Sequence, residues 1–166
     1  MRKPRLTPLT PLAALTLAAC GGGGGVGGTT SGSSTTTYAG TVVKGPLHNA
    51  FVFVDYDEDG VWDSATEPSA YTDSSGAYSL SSTDADAPIV VTTDSTTGGG
   101  LAVSATDTSS NTSLTGITLK APTGSTVVSP TSTVAYDLIK VNGLTEAQVA
   151  TALGLDGASI LSFKLL

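Results

Sequence analysis

The feature that most constrains this chain is an apolar run that ends in a cluster of acids. Aromatic and β-branched residues alternate over Phe51-Val52-Phe53-Val54, and six carboxylates follow within the thirteen residues 55–67. This pattern predicts a strand over Ala50–Asp55 with both faces buried. Because neighbouring carboxylates repel one another, the loop after the strand must either be solvated or hold a cation.

The acids of this loop have the spacing of a calcium-binding loop. Asp55, Asp57 and Asp59 alternate, Gly60 provides a sharp turn, and Asp63 follows, which matches the first nine positions of an EF-hand loop. Calcium takes six to eight oxygen ligands, whereas magnesium is less suited to so many protein oxygens. The predicted Ca²⁺ ligands are the side chains of Asp55, Asp57, Asp59, Asp63 and Glu67, and the backbone carbonyl of Val61. The alternative is a solvated acidic turn without metal.

Two departures separate this loop from a true EF-hand. Position 12 is Thr66, so Glu67 lies one residue late and would need a bulge to reach the ion. The loop also follows a strand and precedes Pro68, whereas an EF-hand loop lies between helices. We therefore expect a calcium loop at residues 55–67 of a β domain, with Trp62 anchoring it to the core.

The N-terminus predicts export and a lipid anchor. Three cations precede an apolar stretch about half the ~20 residues that a membrane-spanning helix needs, which is the layout of a signal peptide. The tetrad Leu17-Ala18-Ala19-Cys20 resembles a bacterial lipobox, which implies a lipoprotein signal peptide at residues 1–19 and lipidation of Cys20. The alternative is an ordinary signal peptide that contains a cysteine. Since Gly21 follows Cys20, the resemblance implies the outer membrane or cell surface, with a periplasm-facing position as the other option.

The mature chain begins with a tether and is acidic. Residues 20–37 comprise the lipidated Cys20 and a Gly/Ser/Thr-rich segment, which should behave as a random coil. Since Cys20 is the only cysteine, lipidation would leave no thiol for a disulfide. Four lysines and fourteen acids remain after residue 19, a formal charge of −10. This charge excludes nucleic acid as a partner, and it leaves the lipid to hold the protein at the membrane.

The remaining pattern is mainly β, followed by two helices. Residues 38–128 form the predicted β domain, with 94–113 mostly loop and His48 in an exposed turn. Residues 129–166 contain a predicted helical hairpin over 130–154, with caps at Ser129 and Thr145, and an apolar tail that is either an edge strand or the sign of a truncated chain. The other predicted strands are Tyr38–Lys44, Ala70–Asp73, Ala77–Leu80, Ala87–Thr93, Leu101–Ser104, Leu114–Lys120 and Thr126–Val128.

The ordered motifs of Gly40–Leu80 carry a family resemblance. A G-x-V strand, a K-G-P-L-x-N-A turn, a V-x-V-D strand, the acidic loop, E-P and T-D-x-x-G-x-Y-x-L follow one another. This order resembles the prealbumin-like β-sandwich modules of bacterial surface proteins, which include carboxypeptidase-regulatory-like domains and the calcium-binding B-type repeats of staphylococcal adhesins. The resemblance implies an antiparallel β-sandwich with a short C-terminal helical hairpin. It also implies a role as a spacer, stalk or adhesive unit.

The residues needed for common catalytic sites are scarce. His48 is the only histidine, and no G-x-S-x-G motif occurs, so neither a Cys/His dyad nor a Ser-His-Asp triad is indicated. We therefore predict a non-catalytic, lipid-anchored, calcium-binding surface module that serves as a stalk or adhesion domain, with an extracellular protein or carbohydrate as its ligand. The alternatives are a protein- or carbohydrate-binding accessory domain of a larger secreted enzyme, a truncated fragment of a large surface protein, and a small periplasmic enzyme.

The lipid anchor can be tested directly. If Cys20 is acylated, radioactive palmitate supplied to expressing bacterial cells should label the protein, because only that residue offers a thiol. The measurement is autoradiography of the purified chain. An unlabelled product would contradict the anchor.

Overall fold

The computed structural model describes residues 34–94, 104–155 and 159–162. The predictions for the signal peptide, for Cys20 and for residues 20–33 of the tether therefore lie outside the described residues, as do those for residues 101–103 and 163–166. Within the described ranges the chain forms a series of short strands followed by two helices. The elements are β1 Thr36–Val42, β2 Leu47–His48, β3 Phe51–Val54, β4 Ser69–Tyr71, β5 Ala77–Ser82, β6 Ile89–Thr92, β7 Ala105–Asp107, β8 Thr112–Leu114, β9 Thr118–Ala121, β10 Val127–Val128, α1 Pro130–Lys140 and α2 Glu146–Ala152.

The described strands pair into three small sheets. The largest has the order β4-β3-β6-β9 and is antiparallel throughout. The other two have the orders β10-β1-β5 and β2-β7-β8, and of their pairs only β1 with β10 is parallel. The prediction of a mainly β chain with mostly antiparallel pairing and two short C-terminal helices is confirmed.

Strand β3 is buried on both faces, as its sequence predicts. Val52 and Val54 are fully buried in a core that also contains Val42 of β1 and Leu80 of β5, so strands of different sheets share this core. Phe51 and Phe53 form a second cluster on the opposite face of the sheet, with Val90 of β6. This burial fixes the register of β3, because a shift of one residue would exchange its two faces.

Three local expectations are wrong. The predicted strand Leu114–Lys120 is two strands, because the chain turns at Gly116, whose φ of +69° is in the left-handed region that glycine adopts readily. Strand β7 lies where a loop was predicted; its three residues carry too little apolar pattern, and it forms by pairing with β2 and β8. His48 was expected in an exposed turn, but it is half-buried on β2 opposite Thr106.

The two helices begin at the predicted caps. Ser129 and Ser132 form a reciprocal capping box for α1, and Thr145 and Gln148 form one for α2. Helix α1 is fixed to β9, since the Ser132 hydroxyl donates to the carbonyl of Lys120 over 2.8 Å. A small apolar cluster that includes residues of both helices completes this region. Within the described ranges, no helix has the length and apolar character needed to cross a membrane.

Candidate metal site

The acidic loop is fixed at both of its ends to the four-stranded sheet. At its start, the amide of Asp55 donates to the carbonyl of Pro88 over 3.1 Å. At its end, the carbonyl of Pro68 accepts from the amide of Val54 over 3.2 Å, so the chain returns to the strand that it left. Backbone hydrogen bonds therefore hold both ends of the loop at the end of β3.

Trp62 anchors the middle of the loop, as predicted. Its ring meets that of Phe51 edge-on, with the centroids 4.9 Å apart, and both belong to the same apolar cluster. The indole N–H donates to the carbonyl of Glu67 over 3.0 Å, which satisfies the only polar group of the side chain. Trp62 thus connects the apolar face of the sheet to the second half of the loop.

Three carboxylates converge in the first half of the loop. Asp55, Asp57 and Asp59 each offer one oxygen, and these oxygens lie within 4.8 Å of one another. The backbone brings them together through left-handed residues at Glu58, with φ +61°, and at Gly60, with φ +79°. Three of the predicted ligands therefore form one carboxylate group that could hold a metal ion.

Asp55 is the buried member of the group, and one of its oxygens has no partner. The residue is fully buried; its Oδ2 accepts from the amide of Gly60 over 2.9 Å, while Oδ1 has no hydrogen-bond partner. Burial raises the pKa of Asp55, and the nearby carboxylates of Glu67, Asp59 and Asp57 raise it further. Because a buried charge is costly unless it is paired, a cation bound to this oxygen would remove an existing penalty.

Asp57 and Asp59 are exposed, and the carboxylate of each accepts a hydrogen bond from a backbone amide within the loop. Oδ1 of Asp57 accepts from the amide of Asp59 over 3.3 Å, and Oδ1 of Asp59 accepts from the amide of Val61 over 2.6 Å. Such contacts from Asp to the amide two residues later are typical of tight turns. They hold both carboxylates on the side of the loop where Asp55 lies.

The structure brings the other two predicted acidic ligands into a different arrangement. The carboxylate of Glu67 is buried and accepts from the amide of Tyr56 over 2.7 Å and from the amide of Asp63 over 2.9 Å. Asp63 accepts from the amide of Ala65 and from the hydroxyl of Thr66, each over 2.9 Å, and these bonds lower its pKa. Glu67 and Asp63 therefore brace the loop. Their ligation of a metal stays a prediction, as does that of the Val61 carbonyl.

Two lysines near the loop were missed by the sequence analysis. The ammonium of Lys140, on α1, lies 2.5 Å from a carboxylate oxygen of Glu58. The ammonium of Lys120, on β9, lies 3.2 Å from the point where a Cβ on Gly60 would be. Each lysine is sixty or more residues from its partner, so no local pattern connects them. Both lysines add positive charge to the surroundings of the acidic loop.

Comparison with known proteins gives no assignment for this chain. No family model, curated protein or solved structure produced a match. The candidate site is therefore interpreted from its own geometry and charge.

The bracing role of Glu67 leads to a stability prediction. Glu67→Gln should lower the free energy of unfolding by about 1–3 kcal/mol, because the amide nitrogen of glutamine cannot accept from one of the two backbone N–H groups that Glu67 binds. Urea unfolding in the presence of a chelator measures this loss without any contribution from metal.

Glu58→Gln is the matched control for Glu67→Gln. Glu58 is about two-fifths exposed, and its ion pair with Lys140 should contribute only about 0–1 kcal/mol. If both variants lost the same stability, Glu67 would not have the bracing role described here.

Proposed function

We propose that this chain is a non-catalytic, calcium-binding module of the bacterial surface, anchored by lipid on Cys20 and acting as a stalk or adhesion domain. The observation that carries the metal part is the buried Asp55, whose unpartnered oxygen lies beside the carboxylates of Asp57 and Asp59. A solvated acidic turn would not require an acid to be buried in this way. A bound cation accounts for both the burial and the convergence.

Calcium is the cation that best fits the ligands. The group consists of carboxylates, and the loop over residues 55–67 contains neither histidine nor cysteine, which zinc sites generally use. Calcium accepts six to eight oxygens in irregular geometry, whereas magnesium demands near-ideal octahedral coordination. The Val61 carbonyl and water are proposed to complete the shell, with Asp63 and Glu67 bracing it or joining it after a local rearrangement.

A surface role follows from the sequence features outside the site. The lipobox resemblance supports an anchor at Cys20, and the seventeen Gly/Ser/Thr-rich residues after it would separate the domain from the membrane by roughly 20–25 Å. The core shared between sheets supports the interpretation of a prealbumin-like sandwich. Without disulfides, a metal ion would stiffen such a module, and its ligand is proposed to be an extracellular protein or carbohydrate.

Calcium should stabilise the folded chain. At a free concentration about 100-fold above its dissociation constant, a ligand that binds only the folded state adds about 2.7 kcal/mol to the free energy of unfolding. We therefore expect the full 166-residue chain to unfold at a higher temperature in calcium than in chelator. Differential scanning calorimetry measures the difference.

The carboxylate group is tested by paired substitutions. Asp57→Asn and Asp59→Asn should each remove most of the calcium effect, because each replaces a charged oxygen of the group. Asp86→Asn is the control, since it removes one exposed carboxylate outside the loop and should leave the effect intact. A wild-type chain with equal unfolding temperatures in calcium and chelator would refute the metal site.

Asp55→Asn should change stability with opposite signs in the two conditions. Because the folded-state pKa of Asp55 is raised, its ionisation opposes folding. This cost is absent below the unfolded pKa, grows as the pH rises from the unfolded pKa to the folded pKa, and is constant above it. In chelator at pH 7, Asp55→Asn should therefore be more stable than the wild type, with the difference vanishing near pH 3.

In calcium at pH 7 the order should reverse, since the variant has lost a ligand. Urea unfolding at the two pH values, with and without calcium, gives the four comparisons. A variant that is less stable than the wild type in chelator at pH 7 would show that the buried charge of Asp55 carries no penalty.

A further inference from the structure

We infer that Lys120 is the internal counter-ion of the acidic loop and that its charge weakens the binding of a divalent cation there. This inference rests on the proposed metal site. Lys120 lies sixty positions after Gly60, the glycine of the acidic loop. The charge of Lys120 is thus a determinant of affinity, although the lysine ligates nothing.

The sheet places Lys120 beside the strand that enters the loop. Phe53 of β3 lies opposite Val90 of β6, and Val90 lies opposite Lys120 of β9. Residues directly opposite one another share a face of the sheet, so Lys120 is on the same face as the Phe53 cluster. From there its side chain extends to Gly60, with Cε 3.8 Å and Nζ 3.2 Å from the position of a Cβ on that residue.

Helix α1 holds the lysine in this position. The backbone amide of Lys120 donates to the hydroxyl of Thr133 over 2.9 Å, and its carbonyl accepts from the hydroxyl of Ser132 over 2.8 Å. The ammonium lies 5.3 Å from the centre of the Tyr136 ring, within the range of a cation–π contact. Because both hydrogen bonds use the backbone, a substitution of the side chain leaves them in place.

The ammonium of Lys120 lies against the turn at Gly60 and is not paired with a single carboxylate. Among the described residues, no carboxylate oxygen lies within 4.0 Å of its nitrogen. Its neighbour Gly60 donates its amide to Oδ2 of the buried Asp55 over 2.9 Å. The lysine therefore lies beside the turn residue that binds the buried carboxylate. It is half-buried, and partly buried charges are screened less than exposed ones.

This arrangement has opposite consequences with and without metal. In the metal-free protein, the positive charge offsets part of the repulsion between Asp55, Asp57 and Asp59. Once a divalent cation binds, the same charge repels it. Removing the charge should therefore tighten metal binding while making the metal-free fold less stable.

Lys140 provides a graded comparison within the same region. Its ion pair with Glu58 is exposed, with about two-fifths of each side chain accessible to solvent. Solvent screening of such a pair is strong, so the loss of its charge should change metal affinity less than the loss of the Lys120 charge. Lys44 lies in the turn between β1 and β2, and this turn packs against the β4–β5 connection at Gly76, near the start of β3. The acidic loop leaves the other end of β3.

The experiment is a calcium titration of the full chain by isothermal titration calorimetry at low ionic strength. Lys120→Met should tighten binding by roughly three- to tenfold, Lys140→Met by less, and Lys44→Met should leave it unchanged. Lys120→Arg should bind like the wild type because it keeps the charge, and the gain in Lys120→Met should shrink at 0.5 M salt. Unchanged or weaker binding by Lys120→Met would overturn the inference, and so would a gain that Lys120→Arg shares.

A second measurement needs no metal. In chelator, Lys120→Met should unfold at a lower urea concentration than either Lys120→Arg or the wild type; equal midpoints would refute the counter-ion role. Lys120→Gln gives a second uncharged variant if Lys120→Met does not fold. A wild-type chain that binds no calcium would refute the proposed metal site and the effect of Lys120 on affinity, while the chelator series would still decide whether Lys120 offsets the carboxylates.

Discussion

The organisation of the acidic loop depends on the burial of one carboxylate, that of Asp55 at the end of β3. The strand is buried on both faces, and it delivers Asp55 to a position with no exposure to solvent. Only one of its two oxygens has a hydrogen-bond partner, the amide of Gly60. The left-handed turn that presents this amide also directs the carboxylates of Asp57 and Asp59 toward the same point.

Two buried acids of the loop have different environments, and the difference separates their roles. Both oxygens of Glu67 accept from backbone amides, so its charge is satisfied within the protein. Asp55 has an oxygen left over, and burial raises its pKa. Residue type and spacing make both acids candidate ligands, but only Asp55 retains an unpaired oxygen beside other carboxylates. A cation is the partner proposed for that oxygen.

The acidic loop contacts both the four-stranded sheet and helix α1. Trp62 ties the loop to the apolar face of the sheet, and Lys120 reaches the loop from β9 on that same face. Helix α1 holds the backbone of Lys120 and contributes Lys140 to the pair with Glu58. In the proposed function, a bound metal would therefore affect the C-terminal helices as well as its own loop.

The sequence by itself determined the features that arise from local physics. The two buried faces of β3, the capping boxes at Ser129 and Thr145, and the grouping of the three alternate aspartates all follow from residue type and spacing. Only the tertiary structure decided the pairing of β7, the two hydrogen bonds that the Glu67 carboxylate accepts from backbone amides, and the approach of Lys120 to Gly60. These contacts need a partner brought close by the fold, either a distant strand or the folded loop itself. Since the energy of such a contact depends on both partners, the local sequence around one partner does not predict the contact.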